Sequence, residues 1–472
     1  MAIPITARSL AFKVVRHEPE LIPPAQPTPG ELKPLSDIDD QEGLRAEMDF
    51  VQFYGSSPSM KYKDPAKIMR EAIAKALVFY YPFAGRLREG PNRKLMVECT
   101  GEGVVFVEAE AADVTLEQFG DALSPPFPCF NQLLIDVPRT GTAQLLNRPL
   151  LFIQVTRLRC GGFVLATRMN HAMCDAAGLV QFMSSVAEMA GGGSHLLSIP
   201  PVWKREVLTA NYPLQITHKH PEYDQVLTDS NLSANDDVDN HIHMAHKSFF
   251  FGPKEISTLK NLVHGPITYS TYEMLTACLW KCRTIALQIA STEEVSLLGI
   301  VNARGKFKEP PLPSGFYGNG IVFPAAVTTA GKLSQSPLGY AAGLLKKAKE
   351  EMSQEYVLSV CALMVSKGRP MFTTARSFAV SDLRHVGVHE VDFGWGKPIY
   401  GGPASAGLGD FSGVSTFTPY TYKKNGGENG IVVPVLLPSD AMERFAEELR
   451  KMFREAPAAS ENVAPKITPS SL

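Results

Sequence analysis

Cysteine and net charge are both scarce in this chain of 472 residues. The seven cysteines are scattered and form no C-x-x-C pair, which argues against a disulfide framework and a structural zinc site and favours a reducing compartment. The formal charge of -2 at pH 7 leaves no electrostatic footprint for nucleic acid. Any partner is therefore expected in a pocket. The cysteines are Cys99, Cys129, Cys160, Cys174, Cys278, Cys282 and Cys361.

Long apolar runs are absent as well, since no stretch approaches the roughly 20 apolar residues that a membrane helix needs. The amino-terminal segment mixes prolines and charges with short apolar pieces, which predicts neither a signal peptide nor an anchor. We therefore expect a cytoplasmic protein with no membrane or nucleic-acid partner. The closing tripeptide Ser470-Ser471-Leu472 is similar to the S-K-L peroxisomal address but lacks its basic middle residue, so a peroxisomal pool stays open.

The length predicts two domains, because a single hydrophobic core rarely grows beyond about 250–300 residues. A composition with 44% apolar and 20% charged residues is that of an ordinary globular protein. A polar, proline-containing stretch with the acidic patch SNLSANDDVDN is typical of a crossover between domains. The predicted parts are an N-terminal domain at 1–200, a linker at 201–242 and a C-terminal domain at 243–472. A segment near 365–390 is a candidate for packing against the first domain.

Alternating and helical spacings of apolar residues occur in both halves, so the predicted fold class is mixed α/β. KLMVECT and GVVFVEAEA are predicted to form one hairpin around Gly101-Glu102-Gly103, and LLFIQVTRL and GFVLATRMN a second one. Asp64-Pro65 predicts a helix start, and apolar residues at helical spacing follow Asp175.

The pattern H-x-x-x-D could carry chemistry, because a histidine near its ordinary pKa can take a hydroxyl proton at neutral pH. It occurs twice, as His171-Ala-Met-Cys-Asp175 and as His220-Pro-Glu-Tyr-Asp224. The second copy contains a proline and lies in the polar crossover, which predicts a solvated linker. The first copy stands between a predicted buried strand and an apolar helix. Local sequence leaves two interpretations of it open: a general base at a turn, or a helix cap beside a core histidine.

Segments far from His171 favour the first interpretation. Asp392-Phe393-Gly394-Trp395-Gly396 follows downstream, and the chain also contains LSDIDDQEGLR, YYPFAGRL, VNAR, FYGN and KGRPMF in that order. With both main motifs in the expected order, the sequence resembles the BAHD acyltransferases over roughly residues 5–455. In particular, it resembles the branch of benzyl alcohol O-benzoyltransferases and alcohol acetyltransferases.

The resemblance implies two similar mixed-sheet domains of the chloramphenicol-acetyltransferase type with a channel between them. His171 would be the base, and Asp175 would hold Arg304, as the corresponding residues do in relatives. Acyl-CoA would be the co-substrate and a small alcohol the acceptor, with no bound cofactor. We also expect a monomer. Asp392, Gly394 and Gly396 would support the site structurally, whereas the channel would be bordered by Trp395, Asn319, Ser381 and Asp382, with the Trp395 N–H a candidate donor to the oxyanion.

Two departures from the family pattern leave the acceptor open. Ala176 follows Asp175 where relatives commonly carry glycine, and Ala362 stands where the branch commonly carries an aspartate. Acetyl-CoA with a monoterpenol is the first expectation, and benzoyl transfer to an aromatic alcohol is the second. An N-acyltransferase, a hydroxycinnamoyl transferase and a catalytically silent binding protein are the alternatives. No metal is expected, because the histidines at 241, 243 and 246 lack partner ligands at suitable spacing.

Overall fold

A computed structural model describes residues 3–5, 10–120, 123–135, 145–192, 196–224, 243–409, 411–422 and 427–454. The acidic part of the predicted linker and the closing tripeptide fall outside these ranges. The end of the linker and the peroxisomal address therefore stay predictions.

Eighteen strands and nine α-helices form within the described ranges. The strands are β1 (Ile3–Ile5), β2 (Val15–Arg16), β3 (Glu20–Ile22), β4 (Leu32–Pro34), β5 (Glu47–Tyr54), β6 (Arg86–Glu89), β7 (Leu95–Glu98), β8 (Val104–Ala111), β9 (Leu151–Leu158), β10 (Phe163–Asn170), β11 (Met244–Phe251), β12 (Glu294–Asn302), β13 (Ile321–Val322), β14 (Ala325–Thr329), β15 (Ser377–Asp382), β16 (Tyr400–Pro403), β17 (Val414–Tyr422) and β18 (Glu428–Pro438). The helices are α1 (Pro65–Phe79), α2 (Phe130–Leu133), α3 (Ala176–Ala190), α4 (Pro253–Leu262), α5 (Thr271–Ala286), α6 (Ala330–Gln335), α7 (Leu338–Glu350), α8 (Gln354–Ser366) and α9 (Ser439–Arg454). In the ranges described, no helix is both long and apolar enough to cross a membrane.

Two large mixed sheets organise the chain, as the fold class predicts. The first sheet has the order β16-β5-β10-β9-β8-β2, with β3 also pairing β8. The second has the order β1-β11-β18-β17-β15-β12-β13, with β14 also pairing β12. Parallel pairs such as β8 with β9 and β12 with β15 stand among antiparallel ones. A small third sheet, β4-β7-β6, also comes from the first half, whereas the amino-terminal β1 pairs with β11 in the second sheet.

The two large sheets pack against each other through a shared apolar cluster. Side chains alternate along β5, so Val51 and Phe53 lie in this cluster while Tyr54 belongs to the core of the first half. From the second sheet, Phe250 and Val432 enter the same cluster. The strand β16 comes from the second half of the chain but pairs with β5 of the first sheet. Both the apolar cluster and this exchanged strand therefore join the halves.

The first predicted hairpin is wrong. β7 pairs with β4 and β6, whereas β8 pairs with β9, β2 and β3, so the two strands belong to different sheets. Gly103 separates them with a φ of +102°, and a Cβ there would lie 2.2 Å from the carbonyl oxygen of Ile22. That close approach lets the chain cross from one sheet to the other. The second predicted hairpin is confirmed, since β9 and β10 pair antiparallel.

The prediction that His220 is solvated is also wrong, because this histidine is buried with 5% of its surface exposed. Its Nδ1 lies 3.0 Å from the carboxylate of Glu222, and its Nε2 lies 2.8 Å from the hydroxyl of Ser359 on α8. The proline after it begins a short 3-10 turn, Pro221–Tyr223. This arrangement anchors the described part of the crossover to the second half of the chain.

Candidate active site

His171 lies at a strand-to-helix turn, as the sequence predicts. It follows Asn170, the last residue of β10, and its backbone N–H donates to the carbonyl of Ala46 at 2.8 Å. Four residues later Asp175 caps α3, accepting a hydrogen bond from the backbone N–H of Gly178 at 3.0 Å. The turn is thus fixed at both ends by the backbone of neighbouring elements.

The imidazole of His171 is almost entirely enclosed, with 5% of the residue exposed. Its Nδ1 is buried and has no hydrogen-bond partner of good geometry within the described part of the chain, and the residue borders the adjacent cavity. Burial lowers the pKa of His171, while its own backbone carbonyl, Asp175 and Asn319 oppose that effect without reversing it. A lowered pKa keeps the ring neutral near pH 7, which is the form that can accept a proton.

Four hydrogen-bond donors bind the carboxylate of Asp175 and keep it ionised. Arg304 approaches it with both terminal nitrogens, at 2.7 and 2.9 Å, and the backbone N–H groups of Gly320 and Gly178 donate at 2.9 and 3.0 Å. Burial raises the pKa of Asp175, but Arg304 and the two N–H groups outweigh burial and lower it overall. The ion pair that the resemblance implies is therefore present.

Two further side chains hold the carbonyl groups of the turn. The amide of Asn319 donates to the backbone oxygen of His171 at 2.7 Å, and Arg205 donates to the backbone oxygen of Met173 at 2.8 Å. Asp39 joins them, because it accepts from Arg205 at 2.6 Å and from the Asn319 side chain at 2.9 Å. Asn319 is completely buried; it touches the base's backbone and does not border the cavity described below.

Asp39 and Arg205 were missed as site residues in the sequence. The segment LSDIDDQEGLR carries three aspartates beside apolar residues, and such a pattern signals buried, paired carboxylates. Arg205 stands in the polar crossover and offered no comparable signal. Only the packed structure brings it to the turn, where 2% of it is exposed.

A cavity of about 450 Å³ opens beside His171 between the two halves. Ala176 and Ala177 border it from α3, and β15 of the second sheet contributes Ser381 and Asp382. Most of the remaining wall is apolar, including Leu44, Met48, Ile300, Val301, Ile321, Phe323, Leu383, Val386, Leu408 and Val414. Ser381 and Asp382 thus line a cavity, and their role in a substrate channel stays a prediction.

The Asp392 loop lies elsewhere. Asp392 accepts hydrogen bonds from the backbone N–H groups of Gly394 and Gly396 at 2.7 and 2.8 Å, and both glycines have positive φ, +102° and +90°. The carboxylate therefore closes a tight turn that only glycine adopts without strain.

The structure does not place Trp395 at the base, so the expected oxyanion role is corrected. Its ring packs edge-on against Phe163, with the ring centroids 5.2 Å apart. Phe163 begins β10 and Asn170 ends it, and the seven steps between them span roughly 23 Å at about 3.3 Å per residue. The loop supports the apolar core of the first half at the far end of the strand from His171.

Within the described ranges, no group of three histidine, cysteine or acidic side chains is arranged to hold a metal ion. Of the histidines considered as ligands, His246 accepts a hydrogen bond from the backbone N–H of Ala406 at 3.3 Å, and His241 lies outside the described residues. The site therefore presents the buried imidazole of His171 at a largely apolar cavity, and a neutral imidazole can remove a proton from a bound hydroxyl.

Comparison with known sequences matches the chain, over residues 12–452, to the family described as "Transferase family". Benzyl alcohol O-benzoyltransferase of Nicotiana tabacum is 58% identical over 96% of this chain and 97% of its own length. Alcohol acyltransferase 16 of Actinidia chinensis var. chinensis is 51% identical over 95% of both chains.

Solved structures share the fold at low sequence identity. Vinorine synthase superposes with a TM-score of 0.69 at 20% identity, covering 93% of this chain and 98% of its own. F. graminearum TRI101, solved with coenzyme A and deoxynivalenol, superposes with a TM-score of 0.65 at 17% identity, covering 88% and 96% of the two chains.

Proposed function

Because the chain belongs to the Transferase family, the BAHD acyltransferases, and is an acyltransferase, we propose that it moves an acyl group from acyl-CoA to an alcohol with His171 as general base. The observation that carries this proposal is the position of the buried His171 in the wall of the cavity between the halves, with Asp175 of the same turn bound by Arg304. The names of the similar plant enzymes support alcohols as the acceptor class.

In the proposed reaction, Nε2 of His171 takes the proton of the acceptor hydroxyl while its oxygen attacks the thioester carbonyl. The carbon–sulfur bond then breaks, and the protonated imidazole returns the proton to the leaving CoA thiolate. The same group thus acts first as base and then as acid. No covalent acyl-enzyme is required, because both substrates are bound at once.

Binding both substrates in one cavity supplies part of the acceleration through proximity. The residues around the His171 turn contribute to the rate by holding the imidazole in position. Asn319 and Arg205 fix its carbonyl groups, and Arg304 fixes Asp175 at the helix start, so the imidazole stays aimed at the cavity.

The apolar wall favours acceptors with an aromatic ring or a terpene skeleton. The similar enzymes named as benzyl alcohol O-benzoyltransferases support benzoyl transfer to an aromatic alcohol. Acetyl transfer to a monoterpenol remains the other donor and acceptor pair that we propose.

Free CoA release tests the proposal. Purified protein is given benzoyl-CoA or acetyl-CoA with benzyl alcohol or a monoterpenol, and thiol release and ester are measured together. We expect turnover with at least one pair and a loss of at least roughly a hundredfold in His171→Ala, within the usual range for general-base catalysis. His264→Ala, which changes an exposed histidine, is the matched control. Turnover in His171→Ala near that of the control would contradict the assignment of the base, and no release with any pair would contradict the function.

A further inference from the structure

In the part of the chain that the structure describes, four charged side chains border the cavity: Asp175, Arg304, Lys349 and Asp382. Each of them is paired. Asp175 and Arg304 hold each other as described, and Lys349 donates to the carboxylate of Glu273 at 2.8 Å. Asp382 is paired with Arg384. With these partners included, the wall carries three acidic and three basic groups, and its formal charge is zero.

The pair of Asp382 with Arg384 is the most direct of these contacts. Arg384 donates from Nε at 2.8 Å and from a terminal nitrogen at 2.6 Å, one bond to each carboxylate oxygen, and its backbone N–H adds a third contact at 3.2 Å. Asp382 ends β15 and Arg384 follows two residues later, so the pair flanks Leu383, which also borders the cavity. Both side chains are about one-fifth exposed, 21% for Asp382 and 18% for Arg384. The pair is thus partly shielded and doubly hydrogen-bonded, the geometry in which guanidinium and carboxylate neutralise each other best.

We infer that the Asp382–Arg384 pair makes the enzyme select neutral acceptors over charged ones. Because the two side chains neutralise each other, Arg384 is not available to bind an anionic acceptor and Asp382 is not available to bind a cationic one. The inference rests on the proposed function and narrows its acceptors to neutral alcohols. Asp382 and Arg384 are specificity residues in this scheme, and neither takes part in proton transfer.

The physical reason is desolvation. A charged acceptor that enters the cavity leaves water and meets an apolar wall, and it regains that loss only if it finds an opposite charge. Each candidate counter-charge already has a partner at 2.6–2.8 Å. A neutral alcohol gives up far less hydration and needs only its hydroxyl at His171.

Two other titratable groups face this region and set the conditions of the test. His385 borders the cavity and is exposed, so all acceptors are compared at one fixed pH. Tyr272 also borders the cavity, and its hydroxyl donates to the backbone oxygen of Val380 at 3.0 Å. Burial raises the pKa of Tyr272, with Asp382 adding to the effect, so the phenol stays neutral.

The test compares acceptors of matched shape and different charge, as ratios of kcat/KM at pH 8 with the best acyl-CoA donor. The anionic pair is para-hydroxymethylbenzoate against para-hydroxymethylbenzamide. The cationic pair is para-(dimethylaminomethyl)benzyl alcohol against para-isobutylbenzyl alcohol. We expect the wild-type enzyme to use each neutral compound at least tenfold better than its charged counterpart. Equal use of the charged and neutral members of either pair would overturn the inference.

Two single variants then unpair one charge at a time. Asp382→Asn releases Arg384 and should raise the ratio for the anionic acceptor at least tenfold, without raising the ratio for the cationic one. Arg384→Gln releases Asp382 and should do the reverse. The double variant removes both charges and should restore both wild-type ratios. Single variants whose ratios stay at the wild-type values would overturn the inference.

Ratios keep the test independent of overall losses in activity or stability. If one single variant does not fold, the other still tests the inference in its own direction, and the wild-type panel tests the expected discrimination against both kinds of charge. The failure of the proposed function is a separate result: no CoA release with any neutral alcohol. Equal release of CoA with neutral and charged alcohols would support the proposed acyltransferase function and contradict only the inference about acceptor charge.

Discussion

Arg304 donates two hydrogen bonds to Asp175 across the boundary between the two halves of the chain, at 2.7 and 2.9 Å. Asp175 begins α3 immediately after the His171 turn, and Arg304 follows the end of β12 in the second sheet. Gly318 adds a carbonyl acceptor for the same guanidinium at 2.6 Å. One contact therefore fixes both the aim of the base and the relative placement of the two halves.

Breaking this contact should cost both stability and rate. We predict that Arg304→Ala lowers the free energy of unfolding by about 3 kcal/mol, because a buried carboxylate loses its counter-ion. The turnover number should fall at least tenfold. Arg304→Lys should recover only part of both losses, because an ammonium cannot form the bidentate contact.

Thermal melting and steady-state kinetics check this prediction, with Lys306→Ala as the control for loss of a nearby exposed cation. A melting curve and turnover in Arg304→Ala that match those of the control would show that the pair matters for neither.

The buried environment of His171 predicts the pH dependence of the reaction. Burial lowers its pKa below the ordinary value of 6.5, and the reaction needs the neutral ring. The rate constant kcat/KM should therefore be constant around neutral pH and fall only below about pH 6.5, as the imidazole becomes protonated. A series of kcat/KM measurements over pH, with an acceptor that does not titrate in this range, locates this acidic fall in the rate. An acidic limb centred above pH 6.5 would be inconsistent with this environment.

Gly178 stands where α3 touches the segment that leads to Asn319. A Cβ at this position would lie 2.0 Å from the backbone oxygen of Tyr317, and a backbone atom cannot yield as a side chain can. We predict that Gly178→Ala shifts the start of α3, lowers the melting temperature by several degrees and reduces turnover at least tenfold. Gly339 is the matched control, since it lies in the first turn of α7 with open space at its Cβ.

Gly339→Ala should leave turnover unchanged and stabilise the protein by up to about 1 kcal/mol, the usual gain of alanine over glycine in a helix. Equal melting temperatures for the two alanine variants would show that the contact with Tyr317 is not limiting.

The position of Trp395 predicts that this residue supports the fold and takes no part in the reaction. Because its ring packs on Phe163 at the far end of β10 from His171, Trp395→Phe should lower the melting temperature while KM for acyl-CoA and the turnover number stay within about twofold of wild type. A smaller ring leaves a cavity, which costs about 1–3 kcal/mol in a packed core. A folded Trp395→Phe protein with a tenfold lower turnover would show that the loop contributes to the active site.

The hairpin errors and successes show how far local pattern reaches. β9 and β10 pair as predicted because a short turn joins two alternating strands. The same pattern failed for β7 and β8, since strand alternation does not say which neighbour a strand will find. There the close approach of Gly103 to Ile22 decided the outcome.

The two H-x-x-x-D copies make the same point for the site. Both histidines are buried, with 5% of each exposed, so burial does not distinguish them. His171 borders a cavity, and its Nδ1 has no partner among the residues that the structure describes, whereas both nitrogens of His220 are bound, to Glu222 and Ser359. The difference depends in part on Ser359, which lies far from His220 along the chain.

The sequence by itself determined the fold class, the strand-to-helix turn at His171 and the family, because these depend on local periodicity and on motifs written in order. Only the tertiary structure decided that Asp39 and Arg205 hold the turn and that Trp395 lies far from it. Hydrogen bonds and ion pairs act over about 3 Å in space, and no spacing along the chain states which distant groups folding will bring that close.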